Sequence, residues 1–350
     1  MPRVAGIDPG TLSLDACGLD DGRLFLDATW PTAELLADPR ALLDALLGAG
    51  PLDLVVGPSG YGLPLCLARD ASDEALRLAF LAPPGETGGI GGLRTLTRQL
   101  DAAGVPLMLT PGVVHLDTVP RHRKLNRVDL GTADKVCSAA LAIADQSGRR
   151  NTAPEDVSLV LLELGGAFTA GLAVERGRIV DGVGGTSGPI GWRAAGALDG
   201  EVAFLAGEVT KGLLFQGGLA TVAAHDPALS EVALEAYLEG AVRAARQLRT
   251  AAPAADEVLL SGRVAGEPVV RDALAAALSD IGEVRPLTGP AARAKQGAQG
   301  AALIADGLAG GTYRALVERL RIREAKGTVL DHLHVISPSA ARRRLGLGDG

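Results

Sequence analysis

The chain has 350 residues, of which 47% are hydrophobic and only 3% aromatic, and it carries a formal net charge of −7. That length asks for two domains of about 150–200 residues each, with cores built from Leu, Val and Ala. The acidic balance offers no broad basic face to nucleic acid, and no apolar run approaches the roughly 20 residues that span a bilayer.

In chain order, Val4–Ile7 reads as a strand running into Asp8 and a tight turn, Pro9-Gly10-Thr11. Gly10 would let backbone N–H groups approach an anion, Asp8 can hold a hydrated Mg²⁺, and Thr11 offers a hydroxyl to a phosphate. An ordinary β-turn is the alternative. Thr11–Leu19 and Arg23–Thr29 continue as antiparallel strands around Asp20-Asp21-Gly22. A helix is predicted over Thr32–Gly48, a buried strand over Leu52–Val56, and a loop over Gly57–Gly62 that either lines a cleft or simply connects. Ser72–Leu81 reads as a helix. Pro83–Gly92, with five glycines and two prolines, reads as a loop that closes over a substrate or merely joins elements. A helix over Leu93–Ala103 and a strand near Val105–Leu109 follow. The densest basic run is Arg121, His122, Arg123, Lys124 and Arg127, ahead of Asp129. It is either a solvated loop or a set of cations aimed at an anionic substrate. Gly131–Lys135 opens a helix to about Ala144, with Thr132 as its N-cap and Asp134 in its first turn.

Gln146–Asp156 is polar and marks a boundary: domain 1–147, linker 148–156, domain 157–325 and tail 326–350. Beyond it the opening pattern returns. Val160–Leu164 is apolar around Glu163, and Gly165, Gly166 and Thr169 follow. Asp8 and Glu163, Gly10 and Gly165, Gly22 and Gly177, Arg23 and Arg178 are all 155 positions apart. One register for acid, turn and hairpin tip argues for an internal duplication. Gly184–Trp192, with Thr186 and Ser187, is a ligand loop or a surface loop, and Ala197–Val202 places Asp199 and Glu201 beside it. A helix over Glu231–Thr250 precedes the strand Glu257–Leu260, the turn Ser261-Gly262-Arg263 and a helix over Glu267–Asp280, a strand–turn–helix able to cradle a nucleoside or phosphate. The strand Val284–Leu287 and helices over Ala294–Leu308 and Thr312–Glu324 close the series. Gly297, Gly300, Ala301 and Ala302 would let the first of those helices cross the Thr132–Ala144 helix closely. In the tail, His332 and His334 have no third ligand in view for a metal, and Arg342–Arg344 read as solvated.

Taken in order, these motifs resemble those of the sugar-kinase, actin and Hsp70-like ATPase superfamily. Gly6–Thr11 looks like its first phosphate motif, Gly131–Lys135 its first connecting helix and Glu163–Thr169 its second phosphate motif. Leu260–Val264 looks like its adenosine motif and Gly297–Gly307 its second connecting helix. Asn126–Lys135 and Leu198–Ala203 resemble, within it, a group of about this length predicted to be butyrate-kinase-like. The resemblance implies an α/β fold of two duplicated actin-like, ribonuclease H-like domains with ATP·Mg²⁺ in a cleft between them. Two positions depart from the pattern: Glu163 stands where the second motif starts with Asp, and Arg263 where the adenosine turn has a second glycine.

The expected function is ATP-dependent phosphoryl transfer to a small molecule. Asp8 and Glu163 would hold the metal's water shell. Gly10, Thr11, Gly165, Gly166 and Thr169 would cradle phosphates, and Ser261, Gly262 and Arg263 would flank the nucleoside. A hydroxyl acceptor needs a base, for which Asp129 and Asp134 are candidates. A carboxylate acceptor needs cations instead, for which Arg121, Arg123, Lys124 and Arg127 are candidates. Thr186 and Ser187 would complete the acceptor site. The alternatives are a sugar or hydroxyl kinase of the same fold and a regulator that uses ATP as a switch. No N-terminal export signal is visible, and the scattered Cys17, Cys66 and Cys137 form no disulfide framework, so a reducing cytoplasm is expected. Neither nucleic acid nor membrane is expected as a partner, and monomer and homodimer both stay open.

Overall fold

The computed structural model describes residues 2–48, 50–58, 60–82 and 90–348. The candidate lid falls mostly on 83–89, outside the described residues, as does Ser59 of the Gly57–Gly62 loop. The chain forms two compact units, one of Met1–Val128, Thr132–Pro154 and Thr288–Gly350, the other of Asp129–Gly131 and Glu155–Leu287. Among the described residues, no helix is long and apolar enough to cross a membrane.

The first unit opens with β1 (Arg3–Pro9), β2 (Ser13–Asp20) and β3 (Arg23–Pro31). The helix expected over 32–48 is two helices, α1 (Thr32–Ala37) and α2 (Arg40–Leu47). Pro39 causes the break: it brings no N–H, and its ring drives Asp38 out of the helical region to φ −150° and ψ 103°. β4 (Leu54–Pro58), β5 (Cys66–Leu67), α3 (Asp73–Phe80), α4 (Ile90–Ala102) and β6 (Leu107–Thr110) follow. Ser72 caps α3 by accepting from the Ala75 N–H at 3.0 Å. The short helix α5 (Arg121–Lys124) carries the basic run, and α6 (Ala133–Arg150) ends the segment. The sheet order is β3-β2-β1-β4-β6-β5, with β1, β4 and β6 parallel. α6 runs six residues past Ala144 and stops at Asn151, whose φ of 51° ends the helix. The polar stretch chosen as the boundary therefore begins inside a helix.

The second unit contains β7 (Leu159–Leu164), β8 (Thr169–Glu175), β9 (Arg178–Val183), α7 (Gly200–Ala206), α8 (Leu219–His225), α9 (Ser230–Ala251), β10 (Glu257–Ser261), α10 (Pro268–Ala277) and β11 (Glu283–Pro286). Its sheet order is β11-β10-β7-β8-β9, with β7, β10 and β11 parallel. The apolar stripe of α9, including Tyr237, Ala241, Ala245 and Leu248, packs on β7, β8 and β9, in a core that also holds Val160, Leu162, Val258 and Leu260. The chain then supplies α11 (Gln296–Leu308), α12 (Arg314–Leu320) and α13 (Pro338–Arg344) to the first unit. α11 lies in the first unit because small residues let it press on β1 and α6. A Cβ at Gly6 would stand 2.2 Å from the Ala298 carbonyl oxygen, and one at Gly300 would stand 1.8 Å from that of Cys137.

The duplication holds in the backbone at the same spacing of 155. Gly10 N–H donates to Ser13 O at 3.0 Å, and Gly165 N–H donates to Phe168 O at 2.9 Å. The hairpin tips match as well. Asp21 and Arg176 both sit at φ 50°, and Gly22 and Gly177 at 71° and 69°, the two positive-φ residues that a two-residue turn of this hand requires. Even the register shifts correspond, between Gly18 and Leu19 in one hairpin and between Ala173 and Val174 in the other.

Candidate nucleotide-binding turns

In an open sheet the parallel strands deliver functional groups at their carboxyl ends. In the first unit that end gathers Asp8 from β1, Thr110 from β6, and the first turns of α6 and α11. The Asp8 carboxylate is 7% exposed. It lies against the start of α11, where a Cβ at Gly297 would approach Asp8 Oδ2 to 2.4 Å. Asp134, in the first turn of α6, takes hydrogen bonds from the Thr132 hydroxyl and the Lys135 ammonium. Burial pushes its carboxyl up, but those two partners outweigh it and hold it below the usual carboxylate range. The Thr132 side chain thus serves Asp134 rather than capping the helix. Cys137, one turn on, is pushed up by burial, then by the Asp134 and Asp8 charges. The thiol is an inert, packed group.

Gly10 lies at the bend of the first turn. Its N–H is spent inside the turn, on Asp8 O at 3.1 Å and Ser13 O at 3.0 Å. Its missing side chain leaves room for Lys295, whose Nζ would be 2.7 Å from a Cβ there. Lys295, unforeseen from the sequence, donates from Nζ to Ser13 O at 3.2 Å and pairs with Asp15 Oδ2 at 3.2 Å. Thr11 is exposed at the tip of the turn.

In the second unit, Glu163 and Ser261 are register partners at the carboxyl ends of β7 and β10. Glu163, Gly165 and Gly166 are half-buried. Gly262 has φ 88°, and a Cβ there would strike the Leu164 backbone at 2.6 Å, so the turn must be glycine. Ser261 is 1% exposed and its hydroxyl has no hydrogen-bond partner among the described residues. Arg263 is exposed beside it. Thr169 departs from expectation: it is fully buried beside the Tyr237 hydroxyl, which burial pushes up to about 12, so it serves the core.

The acceptor candidates also divide. Lys124 points inward, buried, with Nζ donating to Leu116 O at 2.6 Å, and burial lowers its pKa. Its ammonium is spent on a backbone carbonyl inside the unit. Arg121 is exposed, and Arg123 and Arg127 are half-buried. Asn126, at φ 55°, accepts from the His334 and Val335 N–H groups at 2.7 and 2.9 Å, fastening the tail to this segment. Asp129 is buried. Its Oδ1 accepts from Gly131 N–H at 3.2 Å, and its Oδ2 from Thr186 N–H at 2.9 Å and Thr186 Oγ at 2.8 Å. Ser187 Oγ donates to the Asp129 carbonyl. Thr186 and Ser187 are therefore partners of Asp129 that fix the loop after β9.

A search of curated proteins found no significant match. Among solved structures the chain is similar to a propionate kinase from Francisella tularensis subsp. tularensis SCHU S4, with TM-score 0.59, 12% identity and coverage of 86% of this chain and 99% of that one. It is also similar to the acetate kinase from Entamoeba histolytica, with TM-score 0.57, 12% identity and coverage of 80% and 87%. The Porphyromonas gingivalis acetate kinase matches with TM-score 0.55, 13% identity and coverage of 80% and 88%. At such identities the likeness establishes the fold, the two-domain actin-like ATPase fold. The family model described as "Protein of unknown function (DUF1464)" matches residues 6–335, and the chain belongs to that family.

Proposed function

We propose that the protein is an ATP-dependent phosphotransferase whose acceptor is a small carboxylate. The observation that carries the reading is the repeated turn: in each unit an acid at a strand's carboxyl end precedes a glycine turn closed by the same hydrogen bond. The local chemistry fits a nucleotide and its metal. Ser261 offers a buried hydroxyl, unpartnered among the described residues, next to a turn that only glycine can make. Asp8 offers a hard oxygen, and Mg²⁺ is commonly held by one or two carboxylates and the substrate's own phosphates. Mg²⁺ would be held at Asp8 through water, with Glu163 in the matching place of the second unit, and would neutralise phosphate charge.

The acceptor follows from Asp129. A hydroxyl acceptor must lose a proton to a base within reach. The Asp129 carboxylate already accepts three hydrogen bonds, two of them on Oδ2, and its work is to hold the Thr186 loop. A carboxylate acceptor has no such proton to lose and needs positioning and charge neutralisation. Exposed Arg121 is the cation for that task, with Arg123 and Arg127 half-buried beside it. The acetate and propionate kinases of like fold act on acids of this class by their names.

The test is ADP release with ATP·Mg²⁺ and a panel of short carboxylic acids and sugars, with hydroxylamine trapping of the acyl phosphate. Turnover that depends on an acid and yields hydroxamate is expected. Turnover that responds only to a sugar would move the assignment to a hydroxyl kinase, and slow acceptor-independent hydrolysis would move it to an ATP switch.

A further inference from the structure

Asp8 and Asp15 are register partners across β1 and β2, two acids directly opposite on neighbouring strands. Such a pair is unfavourable unless a cation joins it. In the second unit the corresponding pair is Glu163 and Ala170, so only the first unit carries the doubled acid. Asp15 is 1% exposed and is held by Ser13 Oγ at 2.9 Å and by the Lys295 ammonium. The Lys295 side chain is 41% exposed, so the ammonium is tethered at one side and open at the other.

The segment that delivers Lys295 is built with unusual thoroughness. The Asp27 carboxylate collects the N–H groups of Ala292, Arg293 and Ala294 at 2.7–3.1 Å. Gln299, 3% exposed, accepts from Ala291 N–H at 3.1 Å and donates to Ala294 O at 2.6 Å. A lysine needed only to neutralise Asp15 could reach it from a loose loop. This one is fixed at its backbone and given space by a glycine in the turn.

Resting on the nucleotide-binding reading above, we propose that Lys295 is the phosphate-binding cation of the first turn: its ammonium pairs with the terminal phosphoryl oxygens of a bound nucleoside triphosphate, and Asp15 holds it in place. Two of its three N–H donors are used on Ser13 O and Asp15 Oδ2, and the third is available to an anion. Asp15 and Asp27 act through Lys295 and are positioning residues.

Calorimetric titration with ATP·Mg²⁺, ADP·Mg²⁺ and adenosine tests this on the wild type, Lys295→Met, Lys295→Arg and the charge-balanced double variant Asp15→Asn/Lys295→Met. The double variant covers the case in which Lys295→Met alone fails to fold. Loss of the cation should weaken ATP at least about tenfold, a charged hydrogen bond's worth, and leave adenosine within threefold. Arginine should restore most of the ATP affinity. ATP affinity unchanged in the variants, or adenosine weakened as much as ATP, would overturn the assignment while leaving the nucleotide reading intact. A wild type that binds neither ATP nor ADP would remove both.

Discussion

The Asp129 carboxylate receives both the backbone N–H and the hydroxyl of Thr186 on a single oxygen, Oδ2, at 2.9 and 2.8 Å. Those residues are 57 apart in sequence, and the contact ties the segment ahead of α6 to the loop leaving β9. Gly184 completes the fit, since a Cβ there would overlap Asp129 Oδ1 at 1.7 Å. Asp129→Asn should therefore act on stability. Its amide must turn an NH₂ toward one set of donors whichever way it flips, at a cost of about 1–3 kcal/mol. Urea denaturation should show that loss, with Thr186→Val losing about 1 kcal/mol and Thr186→Ser close to wild type. If Asp129→Asn kept full stability and lost only turnover, a chemical role for the carboxylate would replace the structural one.

The crossing of α6 and α11 gives a pair of opposed predictions. At Gly300 a methyl group would collide with the Cys137 carbonyl, which belongs to a helix backbone and cannot swing away. Gly300→Ala should cost about 1–3 kcal/mol or more as overpacking. Gly148 lies in α6 as well, exposed, with nothing within 4 Å of a Cβ. Gly148→Ala should stabilise by about 0.5–1 kcal/mol through helix propensity alone. Thermal melts of the two variants should shift in opposite directions. A common direction would contradict the close crossing.

The hairpins were legible because their signals are local. The acid, the turn glycine and the hairpin tip recur at one spacing, and turn chemistry alone dictates positive φ at Gly22 and Gly177. The small-residue faces of α6 and α11 were legible for the same reason. The sequence misassigned α11 to the second half because order along the chain says nothing about which sheet a helix presses on. Gly6 decides that, through its contact with Ala298. Lys124 looked like a ligand because a run of four basic side chains carries no sign of which one turns inward. Burial of its stem and the Leu116 carbonyl settle that. Lys295 is not legible in the sequence because its partners, Ser13 and Asp15, lie some 280 residues away along the chain. The single readable hint was a lysine at the residue before a Gly- and Ala-rich helix.

Asp8→Asn keeps the shape of the side chain against Gly297 and removes its charge. Mg²⁺-dependent ATP turnover should fall by at least about two orders of magnitude, as for loss of one preorganised electrostatic group, while the melting temperature stays near that of wild type. The relevant control is the metal dependence. Residual activity should require more Mg²⁺, and unchanged turnover at low Mg²⁺ would take Asp8 out of the site.

His115 makes the first unit sensitive to acid. It is 2% exposed, and burial lowers its pKa to about 4. Lys124 and His332 push it the same way, against the Gly112 carbonyl and Asp331. In the unfolded chain an ordinary histidine titrates near 6.5. Between those values the unfolded state binds a proton that the folded state refuses, so stability falls as pH drops from about 6.5 toward 4 and levels off below. The His115 contribution amounts to about 2 kcal/mol lost by pH 5 and about 3 kcal/mol in full. His332, also lowered by burial, adds in the same direction. Urea midpoints measured at pH 7.5 and pH 5 should differ accordingly in the wild type. His115→Gln should cost stability at pH 7.5, through lost packing, yet narrow the difference between the two pH values. A variant whose pH dependence matched the wild type would show that the acid sensitivity in this window lies with other groups, His332 first among them; the lowered carboxylates of Asp134 and Asp27 lose their contribution only below about pH 4.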